Sequence, residues 1–182
     1  MEKRTGLAGK LTMAVFAVVM MLAVLPFMMP GRSTAYAAAV KNVTKAKTIA
    51  LKDAGFKESA VTIKKAVLDK EDNEWEIKFQ KGDYKYEYTI SAKNGRIEEK
   101  DYEIITVKKS SGQKQISKSK AKKIALKSAK QSAVKKLKIK KKTYRSKAKV
   151  WEVSFKKGKG EWEYKIDRYS GKILEMEYEY NK

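Results

Sequence analysis

The 182-residue chain has no cysteine and no histidine, and its two prolines, Pro26 and Pro30, both fall near its start. Without cysteine there is no disulfide, no thiol nucleophile and no thiolate metal ligand. Without histidine, the Ser–His and Cys–His pairs of nucleophilic catalysis and the ordinary transition-metal sites are also excluded. Ser117-Lys118-Ser119-Lys120 and Ser132-Ala133-Val134-Lys135 match Ser-x-x-Lys. The companion motifs of that hydrolase class are missing, and a stretch this rich in lysine and serine yields such matches by chance. Neither catalysis nor a cofactor is expected. Acids are missing locally too: none stands between Glu103 and Glu152, a stretch with 18 basic residues.

What is present begins with an export pattern. Lys3, Arg4 and Lys10 precede the uncharged apolar run Leu11–Met29, and Ala35-Tyr36-Ala37 and Ala37-Ala38-Ala39 each offer a small-x-small cleavage site. Residues 1–39 read as a secretory signal peptide. The alternative is an uncleaved anchor, because a run of 19 residues nearly spans a bilayer. Pro26, Pro30, Gly31 and the alanines favour cleavage, and lipid attachment through a cysteine is excluded. Export without disulfides leans towards a bacterial source.

The rest of the chain repeats itself. Trp75-Glu76-Ile77-Lys78-Phe79 returns as Trp151-Glu152-Val153-Ser154-Phe155, 76 positions later, and the register holds through Gly82/Gly158, Tyr88/Tyr164, Gly95/Gly171 and Ile97/Ile173. Upstream, Ile49-Ala50-Leu51-Lys52 returns as Ile124-Ala125-Leu126-Lys127 at an offset of 75. That length is a duplicated small domain, too long for a solenoid unit. The expected division is domain one at 40–107, a linker at 108–115 containing Ser110-Ser111-Gly112, and domain two at 116–182.

Each copy opens with a helical pattern. Thr44 is the expected cap of a stripe Ala46, Ile49, Ala50 and Ala54 that stops at Gly55, and Ser119 that of a stripe Ala121, Ile124, Ala125, Ser128 and Ala129. Period-two patterns follow. In copy one they predict strands near Val61–Leu68, at Trp75–Phe79, at Tyr84–Ile90 and at Arg96–Ile105, with turns at Lys81-Gly82-Asp83 and Asn94-Gly95. In copy two they predict Leu137–Arg145, Lys149–Lys156, Glu161–Arg168 and Lys172–Tyr180. The fold class is α+β: two copies of a small domain, each one helix packed on an antiparallel sheet of about three to four strands. The expected core is Ile49, Trp75, Ile77, Phe79, Ile124, Trp151, Val153 and Phe155. Each copy is near the lower size limit for a self-sufficient core, so the aromatic stripe reads as core in preference to a stacking platform for bases or sugars.

The pattern Ile-Ala-Leu, then Trp-x-[Ile/Val]-x-Phe, a Lys/Gly turn, Tyr/Trp-x-Tyr-x-Ile and [Asn/Ser]-Gly-[Lys/Arg]-Ile resembles the PepSY domain, in two copies covering about 44–104 and 119–178. The clearest stretch is Glu161-Trp162-Glu163-Tyr164-Lys165-Ile166-Asp167 with Ser170-Gly171-Lys172-Ile173. The resemblance implies an exported or membrane-anchored bacterial protein that inhibits or regulates a peptidase. It carries no catalytic residues. With no peptidase domain following the repeats, any such inhibition is expected to act in trans.

Charge separates the two copies. Residues 40–107 carry 14 basic and 13 acidic residues, while residues 108–182 carry 25 and 7. Lys118, Lys120, Lys122, Lys123, Lys127 and Lys130 are placed on the outer flank of the second helix, and Lys136, Lys138 and Lys140 on the outer face of the strand after it. Together they are expected to form one cationic surface for anionic lipid or cell-wall polymer. The plain alternative is a solvated surface kept soluble by its charge. DNA would bind such a surface as a side effect, and no specific nucleic-acid partner is expected. Glu99, Asp101 and Glu103 alternate on one strand, and Glu175, Glu177 and Glu179 on its equivalent. Cross-strand pairing with Lys85 and Lys165 accounts for them better than Ca²⁺ binding, because no Asp-x-Asp-x-Asp-Gly loop is present. The expected function is therefore non-catalytic binding to an envelope protein such as a peptidase, with a cationic tether. A structural or chaperone-like envelope protein is the alternative.

Overall fold

The computed structural model describes residues 39–109 and 114–181. The expected signal, apart from Ala39, and the centre of the expected linker lie outside them. Helix α1 (Val43–Ala54) leads into strands β1 (Thr62–Asp69), β2 (Glu74–Lys81), β3 (Tyr84–Ser91) and β4 (Ile97–Ile104). Helix α2 (Lys118–Ser128) leads into β5 (Leu137–Thr143), β6 (Lys149–Lys157), β7 (Gly160–Asp167) and β8 (Ile173–Tyr180). All eight strands form one antiparallel sheet in the order β1-β2-β3-β4-β8-β7-β6-β5. The two meanders do not form the separate small sheets expected from sequence. Their last strands pair, and the helix-covered faces of both copies share one main cluster of buried residues.

The alternation along the strands assigns the faces. Trp75, Ile77 and Phe79 of β2 lie opposite Ile90, Tyr88 and Tyr86 of β3, and Trp151, Val153 and Phe155 of β6 lie opposite Ile166, Tyr164 and Trp162 of β7. Ala46, Ile49, Ala50 and Ala54 of α1 and Ala121, Ala125 and Leu126 of α2 join them in a single cluster. Both helices therefore cover the same face. Their small residues let helix backbone approach sheet. Every expected core residue is buried except Ile124, which is half-buried against the cluster.

The helix ends show how closely the copies agree. The caps are Asn42 and Ser117, two residues before those expected: Asn42 Oδ1 accepts from Lys45 N at 2.9 Å and Ser117 Oγ from Lys120 N at 3.1 Å. Thr44 lies within α1, where its carbonyl accepts from the Thr48 hydroxyl. The indole N–H of Trp75 donates to the Val40 carbonyl at 2.8 Å, and that of Trp151 to the Ile116 carbonyl at 3.1 Å. Val40 and Ile116 are 76 apart, whereas the caps are 75 apart. Copy two thus lacks one residue before its helix and gains one after it, which restores the register of the strands.

At the other end of α1, Gly55 adopts φ 77°, with Gly55 N–H bonded to Lys52 O and Phe56 N–H to Leu51 O. This is the Schellman stop. In copy two the same bonds run from Lys130 to Lys127 O and from Gln131 to Leu126 O, and Lys130 takes the left-handed conformation at φ 55°. Lys130 is thus removed from the expected cationic flank. It is half-buried, its Nζ is buried without a hydrogen-bond partner among the described residues, and burial lowers its pKa.

The seam between β4 and β8 is reinforced from several sides. Tyr84 Oη donates to the Ile173 carbonyl at 2.8 Å, and Arg145 pairs with Glu103. Ile104 and Val107 pack with Ala148, Val150 and Leu174 in a second apolar cluster that joins both copies.

Two stability measurements follow. Ile77→Ala should cost about 2–5 kcal/mol and shift one common denaturation transition; separate transitions for the two copies would show that the seam does not couple them. Lys130→Gly should raise stability by roughly 1 kcal/mol, because glycine relieves the left-handed strain and the buried amine at a smaller entropic cost. A loss of stability would refute that account.

Candidate functional site

The cationic residues divide between two places. Lys118, Lys120, Lys122, Lys123 and Lys127 are exposed on α2. Lys136 is exposed just before β5. Lys138 and Lys140, with Lys142, are exposed on β5. They pair with Ser154, Glu152 and Val150 of β6, whose neighbours Val153 and Phe155 point into the core. By strand alternation these three lysines lie on the face opposite the helices. Lys141, between them, turns to the helix side, its Nζ 5.6 Å from the Trp151 ring. The continuous surface expected from sequence is thus two surfaces separated by the β5 edge. The cationic flank of α2 is a helix face, and the β5 lysines form a rim on the open face of the sheet.

The middle of that open face has the opposite charge. The β4–β8 pairing sets Glu99 opposite Glu179, Asp101 opposite Glu177 and Glu103 opposite Glu175. The rows continue into β3 and β7, so Glu87, Asp101, Glu177 and Glu163 lie side by side across four strands. They line a trough of about 710 Å³ with Glu76, Glu99, Glu161 and Glu179. The two acid triplets noted in the sequence are therefore brought together, which strand alternation alone could not reveal.

Basic side chains reach every row, Lys78 pairing with Glu87 and Lys156 with Glu161, but both seam acids are paired only in the row of Glu103 and Glu175 among the described residues. Lys85 and Arg145 pair with Glu103, and Lys165 and the Tyr144 hydroxyl bind Glu175. Burial alone would raise Glu175, but these hydrogen bonds hold its carboxyl below the ordinary value. In the next row, burial and then the charges of Glu103, Glu87, Glu175 and Glu177 push Asp101 up to about 7. Glu177 is raised by burial and then by Glu175. Among the described residues no group of three or more acids is placed to hold a metal ion. No helix there is long and apolar enough to cross a membrane.

The sign of the resulting pH dependence follows from linkage. Asp101 holds its proton more tightly in the folded chain than in the unfolded one. Stability therefore rises as pH falls through about 7 and levels off near the unfolded value of roughly 4. Glu175 and Glu76, both lowered, withdraw stability only at more acid pH. The melting temperature should be higher at pH 5 than at pH 8. Asp101→Asn should raise it at pH 8 and flatten the difference. A wild-type protein more stable at pH 8 than at pH 5 would contradict this assignment.

The family model described as peptidase propeptide and YPEB domain, PepSY, matches residues 41–101 and 115–177. An uncharacterized protein of Streptococcus pyogenes is 46% identical over 63 residues, 34% of this chain and 48% of that one, so the chain spans about half the length of the curated relative it matches. A candidate lipoprotein from Clostridium difficile aligns over 66% of this chain and 84% of its own, at 17% identity and a TM-score of 0.32. The YpeB C-terminal domain of Bacillus megaterium aligns over 79% and 68%, at 16% identity and a TM-score of 0.28. With two matches that together cover most of its length, the chain belongs to the PepSY family and carries the domain in tandem.

Proposed function

We propose that this protein is an exported, non-catalytic binding protein that regulates or inhibits a peptidase or another envelope enzyme in trans. In this reading the outer flank of α2 tethers it to an anionic membrane or wall polymer. The observation that carries the tether is the exposure of Lys118, Lys120, Lys122, Lys123 and Lys127 on one helix, with no ion pair to any of them among the described residues. Support for the regulatory role comes from membership in a family whose description names peptidase propeptides. Support for an extracytoplasmic location comes from the n-region, apolar run and cleavage sites of residues 1–39. The lack of histidine and cysteine supports the non-catalytic reading.

Each lysine near an anionic membrane contributes roughly 1 kcal/mol. Reversing Lys120, Lys123 and Lys127 to glutamate should therefore weaken co-sedimentation with anionic vesicles on the order of a hundredfold, and unchanged sedimentation would remove the tether. The regulatory role is tested by capture from an envelope fraction with a high-salt wash. An enzyme that survives the wash, and whose activity changes on adding the protein, supports the role. Elution of anionic polymers alone, all by salt, refutes it.

A further inference from the structure

The sheet has two edges, and they differ. The pairing of β1 with β2 shifts register between Ile63 and Lys65. Such an irregularity twists and blunts an edge. The pairing of β5 with β6 runs without a shift from Leu137 opposite Phe155 to Thr143 opposite Lys149. Among the described residues no strand lies beyond β5. Its outer side therefore presents a regular row of unpaired N–H and C=O groups. Leu137 and Ile139 pack against the core and hold the strand in place.

We propose that this edge docks an extended acidic segment of a partner protein, which joins the sheet as an additional strand. The inference rests on the reading of the chain as a binding protein and gives its partner a chemistry. Backbone hydrogen bonding along an edge is indifferent to sequence, so side chains must select. Lys138, Lys140 and Lys142 project from one face at intervals of about 7 Å. Residues of an added antiparallel strand would lie about 5 Å from them. A second copy of β5 would set lysine against lysine and is repelled, whereas alternate carboxylates would each meet a lysine. The inboard side offsets these charges only in part: one carboxylate, Glu152, stands opposite Lys140 and pairs with Lys142 at 3.9 Å, while Lys138 faces Ser154. A phosphate polymer would satisfy the lysines but would leave the backbone groups unpaired; only a peptide satisfies both. On α2, by contrast, the helix has already used its backbone groups.

The test is titration of the protein with a synthetic peptide alternating glutamate and valine, read by calorimetry and by amide exchange. Binding with protection of β5 amides is expected. Methylating the peptide's backbone nitrogens on the docking side should weaken binding at least about tenfold, the equivalent of one or two net hydrogen bonds. Lys138→Glu with Lys140→Glu, both at exposed positions, should weaken it similarly and admit a lysine–valine peptide instead. Reversal of Lys120 and Lys123 on α2 should leave peptide binding unchanged. The proposal is overturned if no peptide binds, if the methylated peptide binds as tightly, if protection appears elsewhere, or if inorganic polyphosphate displaces the peptide and protects the same amides. Enzyme capture that persists without peptide binding sinks the docking edge alone. Peptide binding without enzyme capture sinks the regulatory reading alone.

Discussion

Strand β4 meets β8 through five residue pairs, and each strand is the last of its own repeat. Without this pairing each copy would be one helix on four strands, a size at which a single apolar core is marginal. With it, Tyr102 sits opposite Met176, and the aromatic stripes of both copies merge into one cluster beneath two helices. Among the described residues, the seam also leaves β1 and β5 as the outer strands of the sheet. The lysine-rich strand is therefore an edge because of where the duplication closes.

The seam behaves like an isologous dimer interface between two fused copies. Asp101 and Glu177 are equivalent residues, 76 apart, and they face each other; Glu99 faces Glu179 while Glu103, the equivalent of Glu179, faces Glu175, the equivalent of Glu99. Pairing a strand antiparallel to its own equivalent must place like beside like around the two-fold axis. An acid on that face of the strand therefore meets an acid. Two carboxylates about 5 Å apart repel by roughly 3 kcal/mol at an effective dielectric constant of 20. Full burial of one large side chain on the opposite face contributes about 1.5–3 kcal/mol. The two are of similar size, so the sheet closes because several apolar side chains are buried behind it and because Asp101 gives up its charge near neutral pH. The copies relieve the strain unequally. Arg145 pairs with Glu103 and the Tyr144 hydroxyl donates to Glu175 at one end, whereas among the described residues no ion pair reaches Glu99 or Glu179 at the other.

Much of this was legible in the chain. The strands follow from a period of two with glycine turns, and their ends agree with the structure to within one or two residues. The core residues follow from the same alternation. The caps were misplaced by two residues in both copies, because Thr44 and Asn42 are both good caps and the repeat offset of 75 fits either pair. The compensating deletion before α2 became visible only when the indole bonds of Trp75 and Trp151 identified Val40 and Ile116 as equivalents. Lys130 was available to the same offset from Gly55, but its lysine side chain suggested surface. The pairing of β4 with β8 was not legible. Alternation says which residues share a face of a strand and is silent about which strands adjoin across a duplication.

The division of charge follows from these placements. Copy one is almost neutral, yet its acids on β4 join those of copy two to make the centre of the open face negative, while the lysines of copy two occupy its rim and its helix. An acidic partner approaching the open face would be repelled at the seam and attracted at β5, so the long-range field directs such a segment towards the one regular edge. The helix lysines point away from that face and are free to meet a surface behind the protein. A duplicated domain with one copy recharged can in this way present two cationic sites facing in different directions, which a single repeat, with one helix and one short sheet, has too little surface to separate.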